Sequence, residues 1–105
     1  MRFKWSDSEK KVARRAFDKA LEKEYAAIIA KFKDMAAKAE KPEDLWAVHN
    51  YLTKQQRALD EKYDYRYSEL ILVFARLLSE KWIDEKDLNG LNPEKLQAIR
   101  NLLSW

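Results

Sequence analysis

An amphipathic stretch of about 33 residues, from Ser6 to about Ala39, contains no glycine or proline, and it limits what the chain can fold into. Apolar side chains recur along it at steps of three and four, the spacing of one face of an α-helix. At 100° per residue they fall within about 80° of one another. The six residues are Phe17, Leu21, Tyr25, Ile28, Phe32 and Met35. We therefore predict one long dimerisation helix over 6–40, opened by a capping box of Ser6 and Glu9.

The composition restricts the fold class further. A chain of 105 residues supports one domain, spanning 1–105. One glycine and two prolines supply too few turns for a many-stranded sheet, so we predict an all-α fold. The absence of cysteine excludes a disulfide framework, a thiolate zinc site and a cysteine nucleophile.

Three further helical segments follow the long helix. Pro42 interrupts the first helix and opens a second over 42–63, which we expect to pack on the first. The apolar stripe of this second helix is Leu45, Val48, Leu52, Leu59 and Tyr63. The segment from Glu69 to Leu78 is apolar nearly all round and predicts a buried helix. Asn92 and Pro93 open a terminal helix. Residues 64–105 should together form a compact helical head.

Two short segments of the head have patterns of their own. Tyr63 to Tyr67 alternates aromatic and charged residues like a strand. A strand there would have no neighbour to pair with, so we predict a helix or a helical junction. Asp84 can cap a single turn that closes at Asn89 and Gly90, because glycine suits the left-handed position after a helix.

The length of the first helix implies a second copy of the chain. At 1.5 Å per residue the helix is about 50 Å long, whereas a compact chain of this size is about 34 Å across. Leaving the apolar stripe in water would cost about 1.5–3 kcal/mol for each large side chain. We expect a two-fold dimer, helix against helix. The alternative is that the second helix folds back along the first. The predicted dimer interface is Leu21, Tyr25, Ile28, Ile29, Phe32 and Met35.

The sequence shows no catalytic or metal-binding pattern. His49 is the only histidine, and no glycine-rich loop is present to cradle phosphate or to stabilise an oxyanion. We therefore predict a protein that is not an enzyme and holds no cofactor and no metal. A charged start and the lack of an apolar run of about 20 residues predict a cytoplasmic protein.

Nucleic-acid binding is a minor alternative. Four cations, Lys10, Lys11, Arg14 and Arg15, form a basic face on the first helix, and such a face could contact phosphates. Asp18, Glu22 and Glu24 follow at once and offset its field. Basic and acidic residues are also mixed along the chain, with a net charge of only +3, as on a solvated surface.

Trp46 is the strongest candidate for a binding residue. It lies about 125° from the apolar stripe of the second helix. His49, Asn50, Thr53 and Arg57 share its side, and Gln56 lies at the border. A tryptophan off the buried stripe and ringed by polar side chains is typical of a binding hot spot. The alternative is that Trp46 packs on the first helix or across a dimer seam, with His49 bonded to a backbone carbonyl.

The same region resembles a known family. Asp44-Leu45-Trp46, His49, Leu52, Asp60, 62–66 and the run from Leu70 to Leu78 resemble the fluorescence recovery protein family of cyanobacterial photoprotection. The resemblance implies an all-helical, antiparallel-type homodimer that is not an enzyme. It also implies that the protein binds photoactivated orange carotenoid protein and speeds its return to the resting state. The implied contact surface is Trp46, His49, Asn50 and Gln56, with Leu72 and Lys95 from the head.

Two of these contact residues, Asn50 and Gln56, depart from the family pattern. The family normally has aspartate where this chain has Asn50, and a basic pair where it has Gln55 and Gln56. Arg57, next to that pair, can substitute in part. Each lost charge-assisted contact can be worth about 1.5–3 kcal/mol. An alternative function therefore keeps the fold and the dimer but serves a different protein client.

Overall fold

The computed structural model describes residues 3–104, and its regular elements are helical. Their order is α1 (Asp7–Lys38), α2 (Pro42–Lys62), α3 (Leu70–Ser79), a 3₁₀ turn (Glu85–Leu88) and α4 (Pro93–Leu103). An isolated bridge joins Asn89 to Leu91. The prediction of an all-α fold with one long first helix is confirmed. No helix within residues 3–104 combines the length and the apolar character of a membrane span.

Helix α1 begins at the predicted capping box. The Glu9 N–H donates to Ser6 Oγ at 3.2 Å, and the Ser6 N–H donates back to Glu9 Oε1 at 3.0 Å. The first half of α1 then presents small and aromatic side chains to the head, among which Ala13, Ala16 and Phe17 are buried. Small residues bring α1 close to the helices of the head.

The core lies between the first half of α1 and the head. Helix α3 supplies its centre, since Leu70, Phe74 and Leu77 are fully buried there. The remaining members are Val12, Ala20, Val73, Ala75, Ile83, Leu88, Leu91 and Ile99. The prediction that α3 is apolar nearly all round and buried is confirmed for most of its length, but Leu72 projects into solvent.

One glycine is required by both its backbone and its surroundings. Gly90 follows the 3₁₀ turn with φ of +111°, a conformation that side-chain-bearing residues rarely adopt. A Cβ added there would lie 2.7 Å from Val12 Cγ2, which is closer than van der Waals contact allows. The 3₁₀ turn that follows Asp84 therefore packs directly on α1 through this position.

Residues 63–66 form a non-helical junction between α2 and α3, so the helical alternative for this segment was wrong. The alternation has another cause. In an extended chain, alternate side chains point to one side. Tyr63 and Tyr65 both pack edge-on against Phe17, at centroid distances of 5.2 and 4.8 Å. Tyr67 continues this contact to Trp5. The strand-like pattern thus serves an aromatic cluster without a sheet.

Helix α2 returns alongside α1 after a three-residue connection, Ala39–Lys41. Its C-terminal end reaches the middle of α1, where Lys62 pairs with Glu24. The second half of α1 and α2 form a helical hairpin, residues 24–62, that we call the stalk. The molecule is 53 Å long and about 20 Å thick, with a radius of gyration of 16.8 Å. A compact chain of this size would have about 13 Å.

Candidate partner-binding site

The stalk exposes its large apolar side chains, although α2 folds back along α1. Tyr25 and Ile29 each keep 50% of their surface exposed, and Phe32 and Leu52 are exposed as well. Ile28 and Met35 are half-buried. Of the predicted dimer residues, Leu21 differs, because it packs against the core of the head. The hairpin therefore leaves an apolar face of about 15 Å along α1, from Tyr25 to Met35, without full cover.

Trp46 lies in the first half of α2 and is 64% exposed. The second half of α2 reaches the head and buries Leu59, whereas the first half lies in the stalk, beside the second half of α1. The indole contacts His49 edge to face, with ring centroids 6.3 Å apart. This arrangement leaves a large aromatic surface in water beside the His49 imidazole, and the role of Trp46 as a binding hot spot stays a prediction.

An apolar groove of about 430 Å³ runs between α1 and α2. It brings Gln56, a predicted partner contact, next to Tyr25 and Ile28, two predicted dimer residues. The full lining is Tyr25, Ile28, His49, Leu52, Thr53, Gln55, Gln56 and Leu59. The predicted dimer surface and the predicted partner surface are therefore continuous.

A polar groove of about 640 Å³ lies on the other side of His49 and Thr53. Its lining brings together three predicted residues, His49, Asn50 and Arg57, with Tyr51, Thr53 and Lys54. Lys54 was missed at the sequence level. Its spacing from Asn50 and Arg57, four residues after one and three before the other, could have shown that it shares their face.

Leu72 lies in a separate cleft on the head. It is 58% exposed, which is unusual on an otherwise buried helix. The cleft measures about 450 Å³ and is lined by Phe3, Tyr67, Ser68, Ile71, Leu72, Ala98, Asn101 and Leu102. An apolar cleft next to an exposed leucine can accept an apolar side chain from another protein.

Lys95 does not belong to any open surface, which corrects its predicted role as a partner contact. Its side chain is fully buried, and the ammonium donates to Glu9 Oε2 at 2.9 Å and to the Lys4 carbonyl at 2.6 Å. The Trp5 ring lies 4.9 Å from the same nitrogen. Lys95 ties the start of α1 to α4, because a buried ammonium needs a carboxylate partner.

The Glu9 carboxylate accepts hydrogen bonds from three groups at once. Burial acts to raise the pKa of its carboxyl group, but hydrogen bonds from the Ser6 N–H, the Lys95 ammonium and the Asn92 N–H outweigh it and lower the pKa to about 2. Asn92 is the N-cap of α4. One carboxylate thus joins the N-terminal ends of α1 and α4, where the positive ends of the helix dipoles favour negative charge.

A second buried cation joins the stalk to the head. Lys62 Nζ lies 2.5 Å from Glu24 Oε1 and 2.6 Å from Glu80 Oε1. Burial raises the pKa of Tyr63, and the two carboxylates raise it further, so its phenol stays protonated and donates to Glu24 at 2.9 Å. Trp82 Nε1 donates to Glu80 at 3.2 Å. The network fixes the angle between α2 and the head.

Two of the four cations of the basic face, Lys10 and Arg14, make contacts within the chain. Arg14 pairs with Asp18 at 3.3 Å and stacks over Tyr65, at 4.5 Å from the ring centroid. Lys10 lies 5.3 Å from the centre of the Tyr67 ring. In the described part of the chain, no three side chains of the metal-binding types converge on one point. The exposed surfaces therefore favour contact with another protein.

Comparison with known proteins identifies the family of the chain. The family model for the photoprotection regulator fluorescence recovery protein matches residues 5–103. The fluorescence recovery protein of Synechocystis sp. is 34% identical over 98 residues, which cover 93% of this chain and 90% of that protein.

Two solved structures share the fold. The fluorescence recovery protein of Fremyella diplosiphon has a TM-score of 0.92 at 41% identity. That of Synechocystis sp. has a TM-score of 0.92 at 32% identity. Both alignments cover 97% of this chain and 100% of the other. The chain belongs to the fluorescence recovery protein family of photoprotection regulators.

Proposed function

We propose that the protein acts as a homodimer joined along the exposed face of α1. The residues are those predicted, Leu21, Tyr25, Ile28, Ile29, Phe32 and Met35, with Leu21 at the margin beside the head. The supporting observation is that Tyr25, Ile29 and Phe32 remain exposed after α2 has folded back. A two-fold interface lets the same apolar face on each copy cover the other.

A matched pair of variants tests the dimer. Ile29→Asp places a charge in the proposed interface, whereas Ala30→Asp places the same charge about 100° around α1 on an exposed position. We expect sedimentation to show single subunits for Ile29→Asp and dimers for Ala30→Asp and the parent chain. A parent chain that sediments as 12.6 kDa at micromolar concentration would contradict the proposal.

The proposed client of this dimer is photoactivated orange carotenoid protein, met in the cytoplasm. Trp46 is the anchor in this proposal, with His49, Asn50, Gln56 and Arg57 around it and Leu72 as a second contact on the head. The observation that carries the proposal is the exposure of Trp46, which is 64% exposed. It lies on α2, which also lines the apolar groove next to the dimer face. Burying a tryptophan removes about 150–250 Å² from water, enough to dominate an interface.

The regulation is differential binding. A protein that binds the compact resting form of its client more tightly than the open form shifts the population toward the resting form. If it binds the transition between the two forms tightest, it also speeds the return. No bond is made or broken, which agrees with the lack of a catalytic pattern in the sequence.

The test is the decay rate of the photoactivated, red form of the carotenoid protein. The parent chain should accelerate the decay, and Trp46→Ala should abolish most of the acceleration. Glu43→Ala, exposed in the first turn of the same helix, should behave as the parent chain. Equal decay with and without the parent chain would refute this client.

A different client remains the second proposal, because both grooves carry an uncharged amide where the family has a charge. Asn50 lies in the polar groove and Gln56 in the apolar groove. If these positions exclude the carotenoid protein, Asn50→Asp combined with Gln56→Arg should create binding that the parent chain lacks. Isothermal titration calorimetry would measure this binding. No gain of binding would show that Asn50 and Gln56 are not what excludes the carotenoid protein.

A further inference from the structure

The polar groove on α2 carries positive charge and no compensating acid. Lys54 and Arg57 lie three residues apart on one side of α2 and share the groove with His49, Asn50 and Thr53. Across residues 3–104, no Asp or Glu contributes to the lining. Because two like charges at this spacing repel each other, the groove attracts an anion.

Neither cation is paired within the described chain. Arg14, Arg66, Arg76 and Arg100 each form an ion pair with a nearby carboxylate. Lys54 and Arg57 form none within 4 Å in residues 3–104, even though Asp60 and Glu61 follow Arg57 at helical spacing. Their donors are therefore free to bind a ligand from outside the chain.

The two grooves of α2 suit different occupants. His49 and Thr53 line both grooves and form the ridge between them. The apolar groove continues into the proposed dimer face, so a second copy of the chain can cover it. The polar groove cannot face the same groove of a second copy across a two-fold axis, because Lys54 and Arg57 would then meet the same positive charges. It stays open beside the dimer.

We propose that this groove recognises an acidic segment of the client protein, with Lys54 and Arg57 as specificity-determining residues. The proposal rests on the proposed protein-binding function and adds the chemistry of the partner. Arg57 can bind one carboxylate through two parallel N–H groups, and Lys54 supplies a point charge one turn away. Asn50 and Thr53 complete the groove as hydrogen-bonding groups without charge.

A defined probe tests the groove independently of the client. A fluorescein-labelled hexaglutamate peptide is titrated with the parent chain at low salt, and anisotropy reports binding. Lys54→Glu combined with Arg57→Glu should weaken binding at least about tenfold, since each charge-assisted contact corresponds to roughly one power of ten or more. The control, Lys11→Glu with Arg15→Glu, changes the net charge equally at exposed positions of α1.

The outcomes are distinct. Loss of binding in the groove variant alone supports the proposal, and equal loss in both variants shows a general charge effect and overturns it. The same variants are then compared in the decay assay of the carotenoid protein at 20 and 300 mM salt. Acceleration by the parent chain that is unchanged in the groove variant overturns the proposal while the proposed function stands. No acceleration by the parent chain refutes the client, and the peptide titration still decides the groove.

Cross-linking identifies the contact directly. A carbodiimide joins the Lys54 amine to a carboxylate of the client only where the two touch. Mass spectrometry should find Lys54 linked to an aspartate or glutamate of the client, and Lys11 not linked. Adducts at Lys11 equal to those at Lys54 would contradict a specific acidic contact.

Discussion

The head and the stalk use apolar residues in opposite ways. In the head, Phe74, Leu70 and Leu77 are buried completely between α1, α3 and α4. In the stalk, Tyr25, Ile29 and Trp46 keep half or more of their surface in water. The head thus buries most of its own apolar surface, apart from Leu72, whereas the stalk leaves a face that only another molecule can cover.

Buried charge marks the boundaries of the head. Lys95 with Glu9 joins α4 to the start of α1, and Lys62 with Glu24 and Glu80 joins α2 to the head. A buried ion pair contributes little net stability, but its removal from one side is costly, so such pairs hold one arrangement of elements. The stalk carries exposed pairs such as Lys38 with Asp34, which constrain little.

The largest expected effect separates the two regions. Phe74→Ala should lower the free energy of unfolding by about 3–5 kcal/mol at any protein concentration, because it opens a cavity in the core of the head. Phe32→Ala should lower it only in a concentration-dependent way, through the dimer. Urea denaturation at several concentrations measures both. A concentration-independent loss of several kcal/mol for Phe32→Ala would break the comparison.

The junction between the two regions comes next. Lys62→Met leaves Glu24 without its cation, while Glu80 keeps Arg76 at 3.1 Å, and we expect a cost of about 1–3 kcal/mol in urea denaturation. Lys38→Met, at an exposed pair of the stalk, should cost below about 0.5 kcal/mol. If the two substitutions cost the same, Lys62 is not a structural tie.

Acid should weaken the head through Glu9. Its pKa falls from an ordinary 4.5 to about 2 in the folded chain. The stabilisation by the ionised Glu9 is therefore complete above about pH 4.5 and is lost as the pH falls toward about 2. Glu9→Gln should lower the thermal midpoint at pH 7 and flatten its decline between pH 5 and pH 2. An unchanged decline would assign the acid sensitivity to other carboxyl groups.

The smallest effect concerns the end of α3. Lys81 has φ of 65°, and its N–H and that of Trp82 close the helix on Leu78 and Leu77. A left-handed conformation costs a residue with a side chain about 1 kcal/mol, so Lys81→Gly should stabilise the head by roughly 0.5–1 kcal/mol. Thermal melts compare it with Ser79→Gly, which should destabilise α3. Destabilisation by both would contradict the assignment of this cap.

Most of the fold follows from local rules. The capping box at Ser6, the proline at the start of α2 and the cap at Asn92 each mark a helix end where the structure has one. For the site, the periodicity of α2 placed Trp46 off the apolar stripe, but of that stripe Leu59 is buried whereas Leu45 is 62% exposed, nearly as much as Trp46. Lys54 was not predicted, although it lies four residues after Asn50 and three before Arg57 on the same helix.

The sequence alone determined the helices and an apolar face too long for one globule, because these depend on residue spacing along one helix. Tertiary structure alone decided that Lys95 is buried, that Lys62 joins three elements and that Tyr63 to Tyr67 is not helical. Those outcomes depend on residues far apart in the chain. Glu9 and Lys95 are 86 positions apart, and no local pattern can show that they meet.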